Sequence, residues 1–342
     1  MKTRTRKTPE KTRLILEFED NALLPSLFGQ HDQHLARLEQ GLGVQVASRG
    51  NRIVLKGEDG ACRQARKVLR QLYANLEKGE PLTLGDVDGA LRLSGEPTIT
   101  MTKSRKEKNN QSNHPVGEII KIATRKRIIT PRTPAQNHYL KELLSADLIF
   151  AAGPAGTGKT YLGVAMAVAE LIKGSVDRII LSRPAVEAGE SLGYLPGDMK
   201  EKVDPYLRPL YDALHDTMPA EQVAKCIEIG EIEIAPVAFM RGRTLSHSYV
   251  ILDEAQNSTP GQMKMFLTRL GENSRMVVTG DPSQVDLLPG VDSGLDHAMG
   301  VLEGVEGVSV VRFTEKDVIR NPLVRRIINA YDAPEKTKGA KK

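Results

Sequence analysis

Residues 153–160 read Gly153-Pro154-Ala155-Gly156-Thr157-Gly158-Lys159-Thr160, directly after the apolar run Leu148-Ile149-Phe150-Ala151-Ala152. Phosphate groups bound at close range must be wrapped by backbone N–H groups. Gly153, Gly156 and Gly158 allow the tight turns that aim those amides inward. A helix follows over Tyr161 to Lys173, with Leu162, Ala165, Met166 and Ala169 on one face, and its positive dipole end adds to the anion site. Lys159 brings a mobile charge to the β and γ oxygens, and the Thr160 hydroxyl is placed to ligate Mg²⁺. Strand, glycine loop and helix in this order predict a site for a nucleoside triphosphate rather than an ordinary glycine turn.

A triphosphatase needs acids at the end of a second buried strand. Tyr249-Val250-Ile251-Leu252 is such an apolar run, and it ends in Asp253-Glu254. Asp253 is the expected Mg²⁺ ligand, directly or through water, and Glu254 the expected general base for the attacking water. Met276-Val277-Val278-Thr279 makes a third short strand, closed by Gly280-Asp281-Pro282-Ser283-Gln284. A polar side chain there can sense the γ-phosphate, which nominates Gln284; the same residues also suit a plain Asp-Pro turn.

Asp253-Glu254-Ala255-Gln256 together with Gly280-Asp281-Pro282-Ser283-Gln284 resembles motifs II and III of superfamily 1 helicases. The string SRPAVEAGESLGYLPGDMKEKVDPYLRPLYDAL at 182–214 is similar to the PhoH family in particular, and the resemblance spans about residues 120–332. It implies a bacterial cytoplasmic ATPase with one RecA-like core, linked by analogy to RNA metabolism. It also implies ATP as the nucleotide, since Gln136 in Thr133-Pro134-Ala135-Gln136 matches the position of an adenine-reading glutamine. The expected fold is therefore α/β, a RecA-like P-loop NTPase with a doubly wound parallel sheet. Its strands are read near 148–152, 178–183, 248–252, 276–280 and 308–313. Residues 193–208, rich in Gly, Pro and charge, are read as a loop and short helix facing nucleic acid or a neighbouring subunit.

Only about 56 residues follow Asp286, too few for a second RecA domain. The arginine that such a lobe would direct at the γ-phosphate must then come from elsewhere. Arg320, followed by Arg325 and Arg326, and Arg241 with Arg243 are the candidates. Arg320 acting in trans within a homo-oligomer, a hexameric ring for instance, is the expectation that the family resemblance supports.

The remaining composition bounds the class. The chain has 342 residues, 40% hydrophobic and 27% charged, ordinary values for a globular protein. No run approaches the ~20 apolar residues of a membrane span. The basic Met1–Arg13 stretch lacks the apolar core of a secretory signal. Cys62 and Cys226 have no zinc or disulfide spacing, so a reducing, cytoplasmic compartment is expected. The +5 net charge is concentrated. Segment 101–132 holds nine basic residues against Glu107 and Glu118. Residues 97–117 are read as a basic flexible linker, 118–332 as the ATPase domain and 333–342 as a basic tail. A basic linker attracts RNA phosphates without reading sequence, although it can equally be solvated and inert.

Ahead of the linker, 12–96 is read as a small α+β domain. A strand over Arg13–Glu19, a helix over Asn21–Gln40, a hairpin turning at Ser48-Arg49-Gly50-Asn51 and a helix over Asp59–Lys78 give the order β-α-β-β-α. That order resembles a KH-like RNA-binding module. Gly29-Gln30-His31-Asp32 lacks the second glycine of the GXXG loop, so partner docking or oligomerisation competes with RNA clamping. His31 and His34 are read as solvated helix residues. Two functions follow: an Mg²⁺-dependent ATP hydrolase coupled to RNA binding or remodelling, working with an RNA-processing nuclease, or an ATP-gated oligomeric scaffold with slow hydrolysis.

Overall fold

Four of the strands read from sequence run through the centre of a buried sheet and carry the apolar runs as a parallel sheet demands. The computed structural model describes residues 11–94, 119–184, 199–319 and positions 323, 324 and 327. They fall into two compact units: 11–94 with 119–123 and 128–137, and 124–127 with 138 onward.

The first unit is built on β1 (Lys11–Glu17), α1 (Leu24–Phe28), α2 (Gln33–Leu42), β2 (Gln45–Arg49), β3 (Arg52–Glu58), α3 (Asp59–Glu77) and α4 (Leu84–Ser94). The strands form an antiparallel sheet in the order β1-β3-β2. Gly50, at φ 62°, opens the two-residue connection between β2 and β3. One sheet face supplies Leu16, Ile53 and Leu55 to a core that α3 completes with Cys62, Ala65, Val68, Leu69, Leu72 and Leu76. Losing any one of these leucines to alanine costs about 2–5 kcal/mol. A short hairpin, β4 (Ile122–Ala123) with β5 (Ile128–Ile129), follows.

The single helix expected over 21–40 is divided. Gly29 at φ 73° ends α1, and His31 and Asp32 are both left-handed. The reason is packing: the His34 ring folds back, its Nδ1 3.1 Å from the Leu27 carbonyl oxygen. A Cβ on Gly29 would come within 2.9 Å of that ring. His34 is therefore buried rather than solvated, while His31 is exposed.

The second unit takes up most of α5 (Pro134–Ser145) and continues through β6 (Leu148–Ala152), α6 (Lys159–Lys173), β7 (Arg178–Arg183), α7 (Met199–Thr217), α8 (Ala220–Glu228), β8 (Ile232–Pro236), β9 (Ser248–Leu252), α9 (Pro260–Leu267), β10 (Arg275–Gly280), α10 (Gly294–Val301) and β11 (Val308–Arg312). All six strands are parallel, ordered β11-β6-β10-β9-β7-β8, so the sheet is of the RecA-like P-loop type. β6 and β9 are buried at every residue. β8 was not foreseen. It is an edge strand that mixes Glu233 into a short run and ends on Pro236, which blunts the apolar signal. The segment read as a loop and short helix is helical from Met199 as part of the 19-residue α7; residues 193–198 lie outside the described ones. No helix among the described residues is long and apolar enough to cross a membrane.

Candidate active site

The carboxyl end of β6 lies between β10 and β11, and the chain turns there under tight constraint. Gly153 N donates to Gly280 O at 3.1 Å, and Phe313 N donates to Ala152 O at 2.8 Å. Gly153 has φ 145°, and a Cβ there would lie 2.5 Å from Phe313 O, so glycine alone fits. Gly156 and Gly158 follow at φ 84° each. Ile319 N donates to Gly156 O at 2.9 Å, pinning the loop from behind. Lys159 is buried, and its Nζ donates to Gly153 O at 2.6 Å and Pro154 O at 2.9 Å. The loop is thus already folded around its own lysine, at the first turn of α6.

Asp253 sits just past β9, with β10 between it and the phosphate loop. Its Oδ1 accepts from Thr160 Oγ1 at 2.6 Å and from Thr279 Oγ1 at 2.7 Å. Two hydroxyls and a carboxylate meet here in a pocket where Asp253 is 5% exposed. Hard, compact oxygen donors of this kind suit Mg²⁺, which is usually held by one or two protein oxygens plus substrate phosphates. No group of three His, Cys, Asp or Glu suited to a metal occurs among the described residues. The Thr160 and Thr279 hydroxyls with the Asp253 carboxylate would suit a metal that substrate phosphates also ligate.

Glu254 follows in the left-handed region at φ 51°. Strain of this kind costs about 1–3 kcal/mol and persists where surroundings enforce it. The surroundings are Gln256 Nε2, donating to Glu254 Oε2 at 2.6 Å, and the Arg183 guanidinium, 3.5 Å from Oε1. Gln256 also donates to Gln284 O at 3.1 Å and accepts from Asp281 N at 3.0 Å. Asp281 closes the circuit to the phosphate loop: Oδ2 accepts from Ala155 N at 3.1 Å and from Gln284 Nε2 at 2.6 Å. A continuous hydrogen-bonded path therefore runs from Glu254 through Gln256 and Asp281 to Ala155.

The Asp281 carboxyl is held below the usual carboxylate range. Burial by itself would raise it, but hydrogen bonds from Ser283, the Lys159 charge and the Gln284 amide outweigh that. A lowered folded-state value contributes stability that is present above the unfolded value and lost as pH falls through the folded one. Asp281→Asn is accordingly expected to cost stability near neutral pH and progressively less in acid. Urea unfolding of both proteins at about pH 7 and about pH 3 checks this; an equal cost at both would contradict it.

A family model described as PhoH-like protein matches residues 128–332. The chain belongs to the PhoH family. PhoH-like protein of Bacillus subtilis (strain 168) is 49% identical over 317 residues, covering 93% of this chain and 96% of its own length. PhoH-like protein of Mycobacterium tuberculosis (strain ATCC 25618 / H37Rv) is 44% identical over 309 residues, 90% of this chain and 85% of its own. Protein PhoH of Escherichia coli (strain K12) is 49% identical over 236 residues, 67% of each.

Within this PhoH-family core the structure gathers Gly153 to Thr160, Asp253, Glu254 and Gln284 at one end of the sheet. Gln136 lies on the first turn of α5. It is buried, and its Oε1 accepts from Arg132 N at 2.6 Å, while its own N–H donates to Thr133 Oγ1 at 3.1 Å. Arg243 is engaged with Glu233 through both nitrogens, at 2.5 Å and 2.7 Å, and Arg241 is exposed. Arg320, Arg325 and Arg326 lie outside the described residues. Arg183, Thr279, Gln256 and Asp281 all lie in stretches quoted from the sequence, which assigned none of them a role in the site. Each sits beside a residue it did name, but only strand order shows that β7 and β10 flank β9.

Proposed function

We propose that this PhoH-family protein is an Mg²⁺-dependent ATP hydrolase whose turnover is coupled to RNA. The observation that carries it is the convergence, at the ends of β6, β9 and β10, of a phosphate loop, the Thr160–Asp253 oxygen pair and a carboxylate held in strained backbone. Lys159 and the loop amides bind and orient the phosphates, and the N-terminus of α6 adds its dipole. When bound, Mg²⁺ at Thr160 and Asp253 neutralises phosphate charge. Glu254 takes the proton of the attacking water at its carboxylate, oriented by Arg183 and Gln256. Gln284 and Asp281 are placed to relay the state of the loop to the chain beyond. Val285, Leu288 and Val291 are exposed in that stretch, Leu288 at 76%, an apolar surface suited to a partner. In this reading Gln136 reads adenine, and Arg320 completes the site in trans within a homo-oligomer such as a ring, with an RNA-processing nuclease as co-worker.

Arg183→Ala is expected to lower turnover about tenfold, the equivalent of about 1.4 kcal/mol, with little change in KM. Arg183→Lys should recover part of the loss. Steady-state kinetics decide it: an unchanged kcat in the alanine protein would remove Arg183 from the mechanism. The wider proposal is tested by ATP hydrolysis with Mg²⁺ at several protein concentrations, with and without single-stranded RNA. Turnover that rises with both supports an oligomeric, RNA-coupled ATPase. Slow turnover indifferent to RNA supports the second reading, an ATP-gated scaffold, which the strained and anchored Glu254 makes the weaker of the two.

A further inference from the structure

The face of the β1-β3-β2 sheet turned away from the core is open. Its rows follow from register: Arg13 stands opposite Lys56, which stands opposite Gln45; Ile15 opposite Val54 and then Ala47; Glu17 opposite Arg52 and then Arg49. Cation therefore faces cation twice across neighbouring strands, at Arg13–Lys56 and at Arg52–Arg49. Like charges directly opposite destabilise a sheet, whereas opposite charges there would stabilise it. Between these rows Ile15 is 56% exposed in the middle of a strand. Arg52 is paired with Glu17 at 2.6 Å, which leaves Arg13, Lys56 and Arg49 as the net positive charge of the face. Glu58 stands at its far end opposite Lys11.

We infer that this face binds the phosphate backbone of a single-stranded nucleic acid, RNA under the function proposed above, on which this inference rests. Four residues along a strand span about 13 Å, and three strands span about 10 Å. Two cation rows thus flank an apolar row at a spacing that accepts phosphates on the rows and unstacked bases against Ile15, Val54 and Ala47. A duplex would set only phosphates on this face and leave Ile15 against water. No aromatic residue lies in the three rows, so the grip is electrostatic and tolerant of sequence. This surface is separate from Gly29–Asp32, where the missing second glycine disfavours a KH-type clamp.

The test is binding of a fluorescent single-stranded oligouridylate to the full chain across a salt series. Each single-strand phosphate contact contributes about 0.7 to the slope of log affinity against log salt. Arg13→Gln/Arg49→Gln/Lys56→Gln is expected to lose at least about tenfold in affinity and about 2 in slope. Its melting temperature should hold or rise, because facing like charges are removed, and its ATP turnover without RNA should not change. Glu17→Gln is expected to tighten binding, a gain that misfolding cannot produce. Unchanged affinity and slope in the triple variant, or no gain in Glu17→Gln, overturns the inference and leaves the ATPase proposal standing. Wild-type protein that binds no RNA removes the coupling to RNA as well. If Ile15→Ser alters the oligomeric state in sedimentation and leaves RNA affinity alone, the face joins copies of this chain instead, and the inference falls.

Discussion

Glu254→Gln is expected to reduce ATP turnover by about 10²–10⁴-fold while leaving nucleotide affinity close to that of the unaltered protein, which single-turnover hydrolysis and nucleotide titration together measure. The substitution is nearly isosteric. Glutamine keeps an oxygen that can accept from Gln256 Nε2, as Glu254 Oε2 does at 2.6 Å, so the hydrogen-bonded path to Asp281 and Ala155 is retained. The phosphate loop and the Thr160–Asp253 pair do not touch the change. What disappears is a carboxylate that lies outside the Thr160–Asp253–Thr279 oxygen cluster and, unlike Asp281, is not bonded to the phosphate loop. Loss of the charge also removes the attraction to Arg183 at 3.5 Å. A drop in affinity matching the drop in turnover would mean that Glu254 holds the site together rather than acting on water. Turnover within a fewfold of the wild type would place the base elsewhere.

Gly153→Ala is expected to cost about 2–6 kcal/mol of stability, from two terms of about 1–3 kcal/mol each. The first is conformational, since φ 145° is a region that side chains other than glycine's rarely enter. The second is steric, since the new methyl would sit 2.5 Å from Phe313 O and 2.8 Å from Phe313 Cβ. Neither atom can retreat cheaply. Phe313 N is bonded to Ala152 O at 2.8 Å, and the Phe313 ring stacks edge-on against the fully buried Tyr139 at 5.6 Å. At about 2–4 °C per kcal/mol for a unit of this size, the melting temperature should fall by roughly 4–24 °C. Gly174→Ala is the comparison: its φ is 72°, but nothing lies within 4 Å of the added carbon, so it carries only strain. Equal losses in the two proteins would show that the clash with Phe313 is not what makes Gly153 obligatory.

The nucleotide-binding end of this protein was largely legible in its sequence, because each part is a local pattern. Gly153 to Thr160 after a wholly apolar strand, and Asp253-Glu254 after another, read as strand ends because parallel strands buried on both faces leave no polar alternation. β8 escaped because an edge strand holding Glu233 and closing on Pro236 does not share that pattern. The kink at Gly29 escaped because it depends on where the His34 ring packs, seen in neither residue alone.

Residue order along the chain thus determined the family and the fold class and nominated the candidate groups for phosphate, metal and water, since backbone turns and strand burial are set within a few neighbours. Only the tertiary structure decided which groups act on one another. The order β6-β10-β9-β7 brings Thr279 to Asp253 and Arg183 to Glu254 across 26 and 71 residues of chain. The register of β1, β3 and β2 sets Arg13 against Lys56 and Arg52 against Arg49. Such pairings arise from strand order and register, and a one-residue slip would reverse every one of them across the sheet.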